Sequence, residues 1–154
     1  MRALLQRVAR AEVRVDGGRV AAIGRGLLVL LAVAPGDDQS VTSAMAAKVA
    51  GLRIFADGRG LTNLAVTEVG GSVLVVSQFT LYADTRRGRR PSFIGAGGPE
   101  IGEWLYEAFC DELQSHGLAV ERGRFGAQMD VELVNDGPFT IWLDSDEPGK
   151  IPRV

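Results

Sequence analysis

The sequence predicts an α+β fold: a β-rich single domain with a mainly antiparallel or mixed sheet and two principal helices. Three observations carry this reading. Apolar runs of strand length and period-2 alternation recur along most of the chain. Only two segments hold helical periodicity. Strands and helices do not alternate in the βαβ order that marks a parallel sheet. A length of 154 residues suits one domain, and no internal repeat, low-complexity tract or boundary divides it.

Taken in order, residues 3–8 form the first strand candidate. Val13 and Val15 alternate with polar residues, Asp16-Gly17-Gly18 turns, and residues 20–23 return, which predicts a hairpin. Residues 27–34, LLVLLAVA, are continuously apolar, as in a strand buried on both faces. Pro35-Gly36 ends that run. Residues 37–52 read as a helix capped by Asp37 or Asp38, with Val41, Met45, Lys48 or Val49, and Leu52 at helical spacing. Residues 53–56 are a short strand and 57–60 a turn. Residues 72–80, SVLVVSQFT, form the second strongly buried strand, and 83–98 a loop. Residues 100–116 are the clearest helix: Ile101, Trp104, Leu105, Ala108, Phe109 and Leu113 line one face, and Gly117 stops it. Met129, Val131, Leu133 and Asn135 alternate as a strand. Residues 135–138 turn, and 139–143 form the last strand. The domain is expected to span 1–143, with 144–154 a loose tail of two prolines and three acids.

Composition removes several classes of function. Seventeen Lys+Arg against nineteen Asp+Glu give a net charge of −2, which excludes a wholly basic nucleic-acid coat but not a local basic patch. One cysteine and one histidine exclude a disulfide framework, a Cys-cluster zinc site and a His-rich metal site. No phosphate-binding Gly-rich loop with its Lys-Ser/Thr, and no Gly-x-Gly-x-x-Gly opening a helix, is present, so ATP and dinucleotide cofactors are unsupported. No targeting segment is visible, and the longest apolar run is far below membrane-spanning length. The expectation is a cytoplasmic protein with no cofactor and no metal. His116 reads as a partner of the helix dipole, Cys110 as a buried inert thiol, and Glu100, Glu103 and Glu107 as a solvated helix face.

Three segments fit pure structure less well. Arg86, Arg87, Arg89 and Arg90 fall within five residues of a slightly acidic chain whose arginines outnumber its lysines 15 to 2. They read either as a solvated loop or as a phosphate contact, with Phe93 a nearby stacking surface. Ser77-Gln78-Phe79-Thr80 ends a buried strand with three polar side chains. The strand either simply surfaces there or offers free backbone N–H groups to an oxyanion. Residues 135–140, Asn-Asp-Gly-Pro-Phe-Thr, read by default as a hairpin turn. Yet an X-Pro bond is cis at modest cost, and a cis Gly137-Pro138 aims two carbonyls rigidly one way.

These residues together resemble the D-aminoacyl-tRNA deacylases. The resemblance rests on SVLVVSQFTLYAD (72–84), the following RRGRRPSF, GRFGAQM (123–129) and VNDGPFT (134–140). It extends to the opening AxxQRV (3–8) and to GxGLLVLL (24–31), covering 1–143. It implies a compact barrel-like homodimer that hydrolyses the ester between a D-amino acid, or glycine, and the 3′-terminal adenosine of tRNA. Gly137-Pro138 would be a cis pair inserted into the partner subunit's pocket, its carbonyls holding the substrate amino group and its bulk rejecting an L side chain. Phe79 and Thr80 match positions whose backbone N–H groups face the ester. Ser77 and Gln78 match the surrounding pocket, and Arg7 and Met129 match residues that hold or line the Gly-Pro region. Asn135 belongs to the same motif. The ribose 2′-hydroxyl would assist. Phe139 stands where the family often has Val, and Tyr82 where Ala is frequent. Thr80 as a nucleophile, a non-catalytic RNA-binding protein and a purely structural dimer are the competing readings.

Overall fold

The computed structural model describes residues 1–147. Over that range the chain forms, in order, β1 (Arg2–Val15), β2 (Gly18–Ile23), β3 (Gly26–Ala32), α1 (Gln39–Gly51), β4 (Phe55–Ala56), β5 (Thr62–Leu64) and β6 (Ser72–Ser77). A 3-10 turn (Phe79–Tyr82), α2 (Pro99–Ser115), β7 (Ala119–Arg122) and β8 (Asp130–Asp144) follow. Local chemistry explains most boundaries. The β1–β2 turn places Asp16 and Gly17 at φ of 52° and 77°, the two positive values that a tight two-residue hairpin requires. Asp38 caps α1 by accepting from the Val41 N–H at 3.0 Å. Pro99 opens α2, where its missing N–H costs nothing, and Gly117 follows its end at φ 80°.

β1 is the centre of the sheet. One of its edges pairs with β8 from Arg2 to Arg14. Its other edge pairs with β3 over Arg2 to Val8 and with β2 over Ala11 to Val15. Between those two partners β1 carries one extra residue: Val8 faces Asn135 while Arg10 faces Val134. Such a bulge resets the period-2 alternation. Ala3 and Leu5 therefore point into the main core, whereas Val8, Ala11 and Val13 all point into the second. β6 and then β7 continue the sheet beyond β3. The sheet curls until β2 lies against β6 and β7, giving a nearly closed, barrel-like surface. The second core, with Leu28, Leu74 and Val76, fills its concave side. The main core packs Leu27, Val29, Val73 and Val75 under Met45 and Val49 of α1 and Leu105 and Phe109 of α2.

The α+β reading and the mixed sheet hold, with four corrections. First, two βαβ crossovers exist: β3 and β6 are parallel across α1, and β6 and β7 are parallel across α2. The small β4–β5 ribbon hides the first. The second ends on a four-residue strand too short and too exposed to show a pattern. Second, the strand expected over 72–80 stops at Ser77, and the chain coils into the 3-10 turn. Third, residues 135–138 do not join a hairpin, because both flanking segments pair with β1. Fourth, residues 144–147 are not loose. Asp144 closes β8, buried and holding Arg2 Nε at 2.8 Å, and the Ser145 N–H donates to the Met1 carbonyl at 2.9 Å. The remaining tail, 148–154, lies outside the described residues.

Parallel pairing of β3 with β6 brings their first residues into contact. A Cβ on Gly26 would fall 1.8 Å from the Ser72 carbonyl oxygen. Gly26→Ala is expected to cost about 3 kcal/mol, since backbone cannot yield as a side chain does. The check is a lowered urea midpoint with an unchanged slope.

Candidate active site

The segment read as a hairpin turn is a bulge thrown out of β8. Gln6 faces Thr140 and Val8 faces Asn135, so β8 spends five residues where β1 spends two. The excess projects as residues 136–139, with Gly137 and Pro138 exposed and joined by a cis peptide bond. Its base is closed by one side chain. The Phe139 N–H donates to Asn135 Oδ1 at 2.8 Å, and Asn135 Nδ2 donates to the Phe139 carbonyl at 3.1 Å. Arg7 holds one flank. Its Nε donates to the Asp136 carbonyl at 2.9 Å and lies 3.2 Å from the Asp136 carboxylate. Its Nη1 donates to the Ile54 carbonyl, and its guanidinium lies 4.7 Å over the Phe139 ring. Gly137 is required by space rather than by φ: a Cβ there would come 2.3 Å from the Phe139 nitrogen.

The second element is the exit of β6. The Gln78 N–H still donates to the Leu31 carbonyl at 2.7 Å, extending the parallel ladder by one bond. The 3-10 turn then begins, and its first two N–H groups, those of Phe79 and Thr80, have no acceptor among the described residues. Gln78 Nε2 donates to Thr80 Oγ1. The turn is pinned from below by Arg2, whose Nη1 donates to the Leu81 carbonyl at 3.0 Å while the guanidinium covers the Tyr82 ring at 4.3 Å. Ser77 ends β6, half-buried. Met129 belongs with this element, not with the bulge of its own chain. It lies over Gly123, where a Cβ would come 2.9 Å from its sulfur, and the Gly123 N–H is bonded to the Val75 carbonyl of β6.

Within one chain these two elements are apart. Ser77 aligns with Leu31, and Leu31 with Ala3, whereas the bulge opens opposite Arg7. Four residues along β1 and three strand spacings separate them, about 20 Å over the sheet.

The arginines form a third element. Residues 85–91 make a loop whose neck is closed by reciprocal backbone bonds between Asp84 and Ser92, 2.8 and 2.9 Å. Arg86 folds back on Asp84, and that ion pair holds the carboxyl well below its ordinary range. Arg87, Arg89 and Arg90 are exposed and have no acidic partner among the described residues.

Other titratable side chains stay outside. His116 caps the end of α2. Cys110 is buried in α2, and burial pushes its thiol up to about 12. Glu107 and Asp111 pair with Arg122. Sequence reasoning missed two residues of the site, Gln6, whose amide donates to Thr140 Oγ1 at 3.3 Å, and Ile54, whose carbonyl anchors Arg7. A backbone carbonyl leaves no trace in residue type. Gln6 was detectable only through its register opposite Thr140.

The fold and these elements define a class: a barrel-like α+β domain that presents two free main-chain N–H groups on one segment and an exposed cis Gly-Pro pair on another. The family model described as D-Tyr-tRNA(Tyr) deacylase matches residues 4–144, and the chain belongs to that family. It is 60% identical over 145 residues to a D-aminoacyl-tRNA deacylase of Roseiflexus castenholzii, covering 94% of this chain and 92% of the relative. It is 61% identical to one of Anaeromyxobacter dehalogenans, covering 94% and 97%. A solved structure titled c-Myc DNA Unwinding Element Binding Protein superposes with a TM-score of 0.89 at 39% identity, over 96% of this chain and all of that one. A probable eukaryotic D-amino acid tRNA deacylase shares the fold at 20% identity and a TM-score of 0.79.

If the Asn135 amide is what closes the bulge, Asn135→Ala leaves the Phe139 N–H without its acceptor. Hydrogen exchange at Phe139 is expected to speed by about tenfold, the scale of one or two lost hydrogen bonds. Unchanged exchange there would show the bulge to be held by Arg7 alone.

Proposed function

We propose that the protein is a homodimeric chiral editing hydrolase. It cleaves the ester between a D-amino acid, or glycine, and the 3′-terminal adenosine of tRNA. Water adds to the ester carbonyl, the bond to the ribose oxygen breaks, and free amino acid and tRNA are released. The family's curated relatives carry the matching name. The observation that carries the finer reading is the separation of two main-chain devices by about 20 Å of sheet, with the Gly137-Pro138 tip exposed. A two-fold dimer gives each tip a partner segment to meet.

In this reading the Phe79 and Thr80 N–H groups receive the charge that develops on the carbonyl oxygen, with Ser77, Gln78 and Met129 around them. One such donor is worth on the order of 10² to 10³ in rate. Two donors and a positioned ribose 2′-hydroxyl supply about 10⁴ or more, enough for an already labile ester. The partner's tip, kept in shape by Asn135 and Arg7, presents its carbonyls to the substrate ammonium. Its backbone occupies the place of an L side chain, a clash that neither a D residue nor glycine meets. Thr80 as a nucleophile is less favoured: its hydroxyl is engaged by the Gln78 amide, a donor that cannot take a proton. Among the described residues no helix is long and apolar enough to cross a membrane. We place the enzyme in the cytoplasm, where its substrate is made.

Matched D- and L-tyrosyl-tRNA are the direct test. The D ester is expected to be lost, chelator present or absent, and the L ester to survive. Loss of both overturns the filter, and loss of neither with tRNA still bound favours the RNA-binding reading. Phe79→Pro removes one N–H at a position where proline suits the turn. It is expected to lower turnover by about 10² to 10³, while Thr80→Ala retains most of it.

Shared sites predict complementation. Phe79→Pro and Gly137→Ala proteins, each inactive alone, are expected to regain about a quarter of wild-type turnover when mixed as re-equilibrated dimers. Half of such dimers are mixed, and one of their two sites is whole. A mixture that stays inactive would place both elements of a site in one chain.

A further inference from the structure

We infer that the loop at residues 85–91, with Phe93 and the exposed Phe79 ring at its neck, is a dock for the unpaired nucleotides that precede the esterified adenosine of tRNA. The inference rests on the deacylase reading, and four observations carry it. The chain's net charge is −2, and Arg2, Arg7, Arg10, Arg14 and Arg122 all reach carboxylates within 3.2 Å. Arg87, Arg89 and Arg90 are not matched, and they fall within four residues of one another. A solvated loop has no need to keep three guanidiniums free together, whereas a phosphate chain does.

The loop is also not loosely attached. Asp84 and Ser92 bond reciprocally at its neck, and Arg86 is spent inside it, bonding the Asp84 carboxylate at 2.7 and 2.9 Å. Immediately beyond the neck, Phe93 packs edge-on against Phe79, ring centroids 5.1 Å apart and planes at 76°. Phe79 remains 58% exposed and the adjoining Ile94 90% exposed. Apolar rings in water beside unpaired arginines match the two chemistries of a single strand, bases that stack and phosphates that bind guanidinium. Phe79 is at once the first residue of the turn that offers the free N–H groups. A base stacked on its ring is therefore next to the nucleotide whose ester reacts, which sets the register. The preceding phosphates then run toward Arg87, Arg89 and Arg90.

Binding of uncharged tRNA, intact or trimmed of its unpaired 3′ nucleotides, tests this without any chemistry. The wild-type protein is expected to bind intact tRNA more tightly, by tenfold or more. The triple variant Arg87→Gln/Arg89→Gln/Arg90→Gln is expected to abolish that difference. It should also lower the slope of log Kd against log salt by about 2, as three fewer contacts to a single strand require. Phe93→Leu keeps an apolar neck but loses the ring pair, and is expected to weaken binding of intact tRNA alone by about tenfold. Equal binding of both tRNAs by the wild-type protein, or equal loss on both tRNAs in the variants, overturns the dock. The deacylase reading fails on a different readout: D-tyrosyl-tRNA left uncleaved by wild-type protein whose tRNA binding follows the pattern above.

Discussion

Both edges of β1 are hydrogen-bonded along nearly its whole length, and the rest of the molecule depends on that double engagement. A strand paired on both sides cannot slip, because a one-residue shift would turn every side chain to the wrong face. Its single extra residue near Val8 passes the strand from β3 to β2 and from one core to the other. The same fixed strand measures β8 against itself. Since Gln6 and Val8 are held in place, the surplus residues of β8 have nowhere to go but outward. The bulge is a consequence of two registers that agree on either side of it and differ in count between.

The bulge is held by two side chains, Asn135 and Arg7, that grip its main chain. Asn135 spans its base with two bonds to one residue, Phe139. Arg7 reads its backbone at Asp136 and ties it to the carbonyl of Ile54, just before the β4–β5 ribbon. Gly137 leaves no room for a side chain to compete. An exposed loop is ordinarily a mobile one. Here Asn135 and Phe139 at the base are half-buried and bonded to each other, and the Asp136 carbonyl is held by Arg7. The proposed chiral filter needs that arrangement, since a flexible group would move aside for the wrong hand as readily as for the right one.

Much of this was legible in the residues, and what was not legible has a common cause. Asp16-Gly17 announced its hairpin because its chemistry is local. The period of α2 announced its buried face for the same reason. The Asn-Asp-Gly-Pro segment also announced a reversal, but turn chemistry does not say which strands the arms will meet. Here they meet β1 rather than each other. The first parallel crossover escaped behind the β4–β5 ribbon, and the second because β7 alternates only between exposed and half-buried residues. The tie of Ser145 to Met1 and the anchor of Arg7 on Ile54 escaped because both use backbone oxygens, which every residue has. The candidate site residues were found by composition and resemblance. Their division into two groups about 20 Å apart was visible only in the register.

That division bears on why a chain with one histidine and one buried cysteine belongs to a family of hydrolases. Side-chain acids and bases act where they are placed, so an enzyme built on them assembles a site within one pocket. Main-chain N–H groups and carbonyls act through orientation, and their orientation is only as good as the scaffold behind them. Here each set is borne by a different well-paired segment, the N–H donors at the end of a buried strand and the carbonyls on a clamped bulge. In the proposed dimer, bringing both to one substrate falls to the docking of two copies of the chain rather than to the folding of one loop. A two-fold axis does this twice for a single interface. On the proposed function, the separation within the chain, which would be a defect in a side-chain enzyme, is the condition under which neither device distorts the other.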